Sequence, residues 1–295
     1  PQASLRTIET LLGRLHGNDL AGIHLLELHL HRLQVLMSLG RYSQVIDACS
    51  RAQVLLDRVL PSWGEFFRTT LRLEGAYCAV YLDPRPETAD RLLESLEPAD
   101  LPGTMRFIAR SVRGELELTR GNVRTAALIQ RVSLRYAGNW RSILGSGSQW
   151  ELYILSMCLI TDVELSPDDA VELDADAVRV RATSLLRDIL SDPAPRQRDI
   201  PTIMAFVAAV GLSVVAAEDA DPDRRAVGAE LVATALAVGT NQTCRLLSHD
   251  YLHSRTEQLD ARALAQAEVR IRLLDRGELV AHAADLAGRL AGEVG

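Results

Sequence analysis

The chain has 295 residues, of which 47% are hydrophobic and 24% charged, so it can bury a substantial core and does not have the composition of a disordered protein. All 32 residues counted as Lys or Arg are arginines, which excludes chemistry that needs a lysine, such as a P-loop or a Schiff base. The 39 acidic residues bring the net charge to −7 and exclude a surface that is basic throughout, as nucleic-acid binding would favour.

The use of arginine alone, together with many Ala, Leu and Val residues, indicates a GC-rich bacterial genome. Four cysteines lie far apart without a CxxC motif, which predicts neither a disulfide framework nor a zinc ribbon. The cysteines are typical of small apolar residues in a reducing cytosol, so we expect a cytoplasmic protein. No signal peptide is visible in the sequence. The missing initiator Met favours a piece of a longer protein.

Apolar residues at helical spacing form pairs of segments separated by short turns through the first half of the chain. Gly40 ends the first segment, and Pro61 ends the second. Each pair predicts a helical hairpin. The pairs are 25–39 with 46–59, 65–82 with 88–96, and 105–119 with 123–136.

The second half continues with longer helical patterns after a Gly/Ser-rich pause at 145–148. Ser166 is a helix cap and Pro167 suits a first turn, so we predict one continuous helix over 168–190. No alternating pattern supports a strand. Further helices are predicted at 150–161, 203–217, 222–238, 241–259, 261–274 and 278–290, which gives an all-α protein of twelve to fourteen helices.

One stretch, 200–217, carries no charge over 18 residues. A bilayer-spanning helix needs about 20 apolar residues, and this stretch contains Pro201 and Gly211 and is followed at once by acids. We therefore expect a central helix that is buried on all sides rather than a membrane span.

The turn segments 39–46 and 114–122, with small residues after each of them, resemble tetratricopeptide repeats. Units of 34 positions fit at about 26–59, 70–103 and 107–140, although the small position of the first helix is Leu33 in the first unit and Tyr77 in the second. The resemblance implies tandem hairpins in a right-handed superhelix. We expect an N-terminal part at 1–144 and a C-terminal part at 145–295 that continues the same array.

Proteins of the tetratricopeptide family bind peptides along a concave face lined by the first helix of each hairpin. That face would be acidic and apolar here, which suits a basic or amphipathic helical ligand. The resemblance implies twelve binding residues: Glu27, Leu30, His31, Gln34, Met37, Leu71, Glu74, Cys78, Tyr81, Ser111, Glu115 and Leu118.

Degenerate helical arrays of this length resemble the C-terminal sensor or interaction regions of large transcription regulators from high-GC bacteria. The resemblance implies a scaffold that binds a peptide, a protein or a small regulatory ligand, without a cofactor and without direct contact to nucleic acid or membrane. A homodimer is compatible with it. The alternatives are a standalone adaptor or chaperone in a protein complex and a metal-dependent helical enzyme.

The enzyme alternative depends on His24, Glu27 and His31, which share one helical stripe, and on the pair His249 and His253 at i, i+4. We interpret both sets as polar surface positions and predict no metal site and no catalytic residue.

Seven acids lie within 162–176 without an arginine among them. Their order does not fit a calcium loop. They are typical of a solvated loop between helices, and an acidic surface for a basic partner remains the alternative.

Overall fold

A computed structural model describes residues 2–15, 22–39, 41–59, 64–82, 87–96, 103–139, 149–191, 200–217, 220–240 and 244–292. Within these ranges every regular element is helical, which confirms the all-α prediction. The α-helices are α1 (Gln2–Leu15), α2 (Gly22–Ser38), α3 (Tyr42–Val59), α4 (Gly64–Leu82), α5 (Glu87–Glu94), α6 (Gly103–Thr119), α7 (Val123–Asn139), α8 (Gln149–Val163), α9 (Pro167–Glu172), α10 (Ala175–Leu190), α11 (Ile200–Ala216), α12 (Pro222–Val238), α13 (His249–Ile271) and α14 (Arg276–Gly292). A single 3-10 turn covers Arg245–Leu247.

The chain divides into two compact units, Pro1–Gly121 and Asn122–Gly295. The first unit contains α1 to α6, and the second contains α7 to α14. The boundary coincides with the turn between the two helices of the third predicted hairpin. The predicted joint at 145–148 lies outside the described residues, so the division between 144 and 145 stays a prediction.

In the first unit, α2 packs on α3, α3 on α4, and α4 on both α5 and α6. The first two predicted hairpins are therefore present as packed helix pairs. Small buried residues on α3, Ala48 and Ala52, let the helices approach closely, while Leu33 and Leu36 of α2 fill the space between them. The backbone N–H of Arg41 donates to the carbonyl of Leu36 and closes the first turn at 3.0 Å.

In the second unit, α11 is buried at 13 consecutive positions from 203 to 215, which confirms the predicted central helix. It packs most closely on α12, where Gly211 and Gly228 face each other. A Cβ on Gly211 would lie 2.5 Å from the carbonyl oxygen of Gly228, so only glycine fits this crossing. Within the described ranges, no helix has both the length and the apolar character that crossing a bilayer requires.

The predicted continuous helix 168–190 is wrong, because the chain breaks between α9 and α10. Ser166 caps α9 as predicted, with its Oγ 3.2 Å from the backbone nitrogen of Asp169. After Leu173 the chain turns at Asp174, which has a left-handed φ of 53°. Arg131 of α7 donates through Nε to the Leu173 carbonyl at 2.8 Å and thereby satisfies a backbone group that a continuous helix would use internally.

The predicted break between 259 and 261 is confirmed, because Asp260 has non-helical backbone angles (φ −155°, ψ 80°) and divides α13 into two parts. The start differs from the predicted 241, because α13 begins at His249 after the 3-10 turn. The carboxylate of Asp260 accepts from the backbone nitrogen of Ala263 at 2.9 Å and so caps the second half. Helix α1 was not predicted, although Leu5, Ile8 and Leu12 carry a short apolar stripe.

Candidate functional site

The twelve residues of the predicted binding face all lie in the first unit, on α2, α4 and α6. On α2, Glu27 and His31 are exposed, and Leu30 and Met37 are half-buried. The side chain of Gln34 lies outside the described residues. The α2 positions therefore present a mixed polar and apolar surface.

The α4 and α6 positions are much less accessible. Leu71 and Cys78 of α4 and Ser111 and Glu115 of α6 are buried, with exposures of 1% or less. Tyr81 and Leu118 are half-buried. Four of the twelve predicted residues thus lie inside the folded chain, where they pack rather than face solvent.

Glu74 is the chemically distinctive member of the set. Its carboxylate atom Oε2 is buried and has no hydrogen-bond partner among the described residues. Burial raises the pKa of Glu74 to about 7, because the charged form loses its hydration without gaining a counter-charge. Glu74 therefore carries only part of a negative charge near neutral pH.

Two cysteines share the surroundings of Glu74, Cys49 on α3 and Cys78 one helical turn along α4. Burial, and secondly the Glu74 charge, raise the pKa of Cys78 to about 12. The same two causes, in the same order, raise the pKa of Cys49. Both thiols therefore stay protonated and unreactive, and they leave the carboxyl as the only acid of the three groups that ionises near neutral pH.

Aromatic rings lie farther along the same helix. Tyr77 and Tyr81 meet edge to face with centroids 5.4 Å apart, and Tyr81 lies 5.7 Å from Tyr42 of α3. Aromatic faces and a carboxylate both attract cations, and the attraction strengthens where water is excluded. The α3–α4 region therefore combines groups that suit a cationic ligand better than an anionic one.

The metal candidates are less well supported. His24 Nδ1 lies 3.4 Å from Glu27 Oε2 on an exposed surface. His249 and His253 stack with centroids 6.0 Å apart, and His253 Nε2 lies 3.1 Å from Glu268 Oε1. The described part of the chain holds no group of three or more His, Cys, Asp or Glu residues that could bind a metal ion.

Sequence reasoning missed a buried ion pair in the second unit. Arg131 of α7 donates to Asp162 Oδ1 of α8 at 2.8 Å, and the two side chains are only 11% and 8% exposed. Burial raises the pKa of Asp162 to about 6, although the arginine acts in the opposite direction. The residues are 31 positions apart, and no sequence pattern relates them. This pair joins helices, and its carboxylate already has a cation.

Comparison with known proteins adds no identification, because no family model, curated protein or solved structure matches this chain. The tetratricopeptide resemblance therefore stays a prediction.

Proposed function

We propose that the chain is a ligand-binding helical scaffold whose first unit recognises a cationic or amphipathic helical partner. We further propose that it serves as the sensor or interaction region of a bacterial transcriptional regulator. The observation that carries the binding proposal is the buried Oε2 of Glu74, which has no hydrogen-bond partner among the described residues. Carboxyls with a pKa shifted toward neutrality and an unsatisfied oxygen concentrate at functional sites.

The physical basis is the hydrogen bond that Oε2 of Glu74 does not make with any described residue of the unliganded chain. An arginine or lysine of a ligand that reaches Oε2 would supply the missing hydrogen bond and would favour the ionised carboxylate. The half-buried Tyr81, together with the exposed Glu27 and His31 on α2, extends the recognition surface. Access to Glu74 then requires a small displacement of neighbouring side chains.

The test uses a displayed library of amphipathic helical peptides with arginine at varied polar positions, and a matched library with glutamate at those positions. We expect the full-length chain to enrich arginine-bearing sequences. Glu74→Gln should lower the affinity for the enriched peptides by about 10- to 100-fold, because a charge-assisted hydrogen bond contributes about 1.5–3 kcal/mol.

The matched control is Glu94→Gln, an exposed position on α5 outside the predicted face. It should change affinity by no more than about twofold, as is usual for a solvent-exposed charge. Equal enrichment of both libraries, or equal affinity of Glu74→Gln and the unaltered chain, would contradict the proposal. Native mass spectrometry of chain purified from its own host would then distinguish a co-purified small ligand from a constitutive protein complex, as an adaptor would form.

A further inference from the structure

The three most exposed large apolar side chains of the described residues all lie in the second unit. Leu273 is 93% exposed, Val171 is 83% exposed and Val269 is 73% exposed. Single exposed apolar residues are common on protein surfaces. These three are unusual because they lie in two small regions in which the charged side chains without a partner are opposite in sign.

The first region, here called the basic corner, lies where α13 ends and α14 begins. It consists of Arg262, Val269, Arg272, Leu273 and Arg276. Arg262 and Val269 lie on one stripe of α13, two turns apart, and Leu273 follows in the turn. Within the described part of the chain the three arginines make no ion pair, whereas Arg270 between them pairs with Glu230 at 2.7 Å. The exposed carboxylates of Asp275 and Glu278 lie in the same corner, and each accepts from the other residue's backbone N–H, at 2.9 and 2.7 Å.

The second region, here called the acidic segment, contains α9 and the turn after it. It consists of Asp168, Val171, Glu172 and Asp174, together with Asp176 in the first turn of α10, which forms an ion pair with Arg179. The side chains of Asp168 and Asp174 make no hydrogen bond or ion pair with any described residue. The segment therefore presents unpaired negative charge around an exposed valine.

The acidic segment is also fixed in position. Arg124 of α7 forms ion pairs with Asp169 and Glu172, and Arg131 holds the carbonyl of Leu173 at 2.8 Å. Because α9 is tied to α7 in this way, a partner would meet a preformed surface and would lose little entropy in ordering it.

We infer that the acidic segment of one copy of this chain docks on the basic corner of a second copy. Unpaired aspartates then meet unpaired arginines, while Val171 covers Val269 and Leu273. In a two-fold dimer the acidic segment of each copy contacts the basic corner of the other copy, so the contact forms twice. Both regions are then occupied, and no further copy can add. A second copy explains both surfaces at once, whereas a foreign acidic or basic protein would explain only one of them. This interface is independent of the Glu74 site, which lies in the first unit.

The experiment measures the mass of the full chain by sedimentation equilibrium from about 1 μM to about 1 mM, a range that covers moderate affinities. We expect a dimer that weakens when the salt concentration rises from about 0.05 M to about 1 M, because screening reduces the attraction between surface charges. A monomer throughout this range, or an association that is insensitive to salt, would overturn the inference.

Charge reversal identifies the surfaces. Arg272→Glu with Arg276→Glu gives a variant with two acidic regions, and Asp168→Arg with Asp176→Arg gives a variant with two basic ones. Each should be at least about tenfold weaker in self-association, because like charges oppose each other across the interface. An equimolar mixture of the two variants should form a heterodimer, since the opposite charges then face each other at both contacts.

Two controls reverse exposed charges outside both regions, Arg289→Glu on α14 and Glu257→Arg on α13. Neither should change the association by more than about twofold. Circular dichroism checks that every variant keeps its helices. Failure of the two reversed variants to associate with each other, while each remains helical, would overturn the pairing of these surfaces.

Discussion

Among the described residues, each unit contains one carboxyl whose pKa is raised by burial, and the two lie in different surroundings. Oδ1 of Asp162 in the second unit accepts from Arg131 at 2.8 Å, whereas no cation of the described residues pairs with Glu74 in the first unit. Each carboxyl has one buried oxygen without a hydrogen-bond partner among the described residues, Oδ2 of Asp162 and Oε2 of Glu74. Burial raises the pKa of both, to about 6 and about 7. Desolvation has the largest effect on both pKa values, and only for Asp162 does a neighbouring cation offset part of it, which is why we propose Glu74 rather than Asp162 as the ligand-binding carboxyl.

The packing around the two carboxyls differs as well. The second unit is built on α11, whose 13 consecutive buried residues include the glycine contact with α12. In the first unit, α4, which carries Glu74, is buried at six consecutive positions from 75 to 80, whereas α1 and α3 keep exposed faces. The second unit thus has a closed core with little room for a side chain to move.

The largest expected effect on stability comes from replacing Arg131, the arginine that pairs with Asp162. Arg131→Met leaves a buried carboxylate without a cation and should lower the free energy of unfolding by about 3–5 kcal/mol at pH 8. The loss should be smaller at pH 5, because Asp162 then takes up a proton. Urea unfolding at both pH values measures it.

The matched control is Arg187→Met on α10, whose arginine is 48% exposed and bonded to the exposed Asp188. It should cost less than about 0.5 kcal/mol. If Arg131→Met costs no more than this control, the buried pair does not stabilise the second unit.

A smaller effect is expected at the helix crossing of the second unit. Gly211→Ala places a methyl group 2.5 Å from the Gly228 carbonyl and should cost about 1–3 kcal/mol through overpacking. Gly288→Ala on α14 adds the same group where nothing lies within 4 Å, and should be neutral or stabilising by up to about 1 kcal/mol. Thermal unfolding compares the two variants, and equal melting temperatures would show that the crossing tolerates a side chain.

The smallest effect concerns Glu74 itself. Because its pKa is higher in the folded than in the unfolded chain, the stability that its neutral form provides is lost as the pH rises through about 7. The loss begins near the unfolded-state pKa of about 4.3, so Glu74→Gln should match the unaltered chain only near pH 4 and exceed its stability by about 1–2 kcal/mol at pH 8. Asp162 ionises in both proteins and cancels in this difference. A variant that is less stable at pH 8 would indicate that the Glu74 carboxylate has a stabilising partner.

Much of the fold follows from local sequence patterns. Apolar periodicity and Gly or Pro breaks locate most helices, and the uncharged stretch 200–217 predicts the buried α11. The break before Asp174 could not be predicted, because it accompanies a bond from Arg131, which lies 42 positions before Leu173. Local pattern contains no information about such a contact.

The candidate site was predictable only in part. The register of the repeat places Glu74 on the first helix of a hairpin, and this position predicted Glu74 as a binding residue. Its burial next to Cys49 and the lack of a partner at Oε2 depend on how α3 packs on α4. The same packing hides Leu71 and Cys78, which register alone assigned to an open face.

The central claim is that Glu74 is a buried carboxyl awaiting a cation, and its most direct test is an NMR titration of the glutamate side-chain carboxyl carbons. Glu74→Gln assigns the signal, and the titration is run with and without an enriched arginine-bearing peptide. We expect a pKa of about 7 in the free chain and a decrease of about one unit or more when the peptide saturates it. A pKa near the usual glutamate value of about 4.3 in the free chain, or one that the peptide leaves unchanged, would contradict the account.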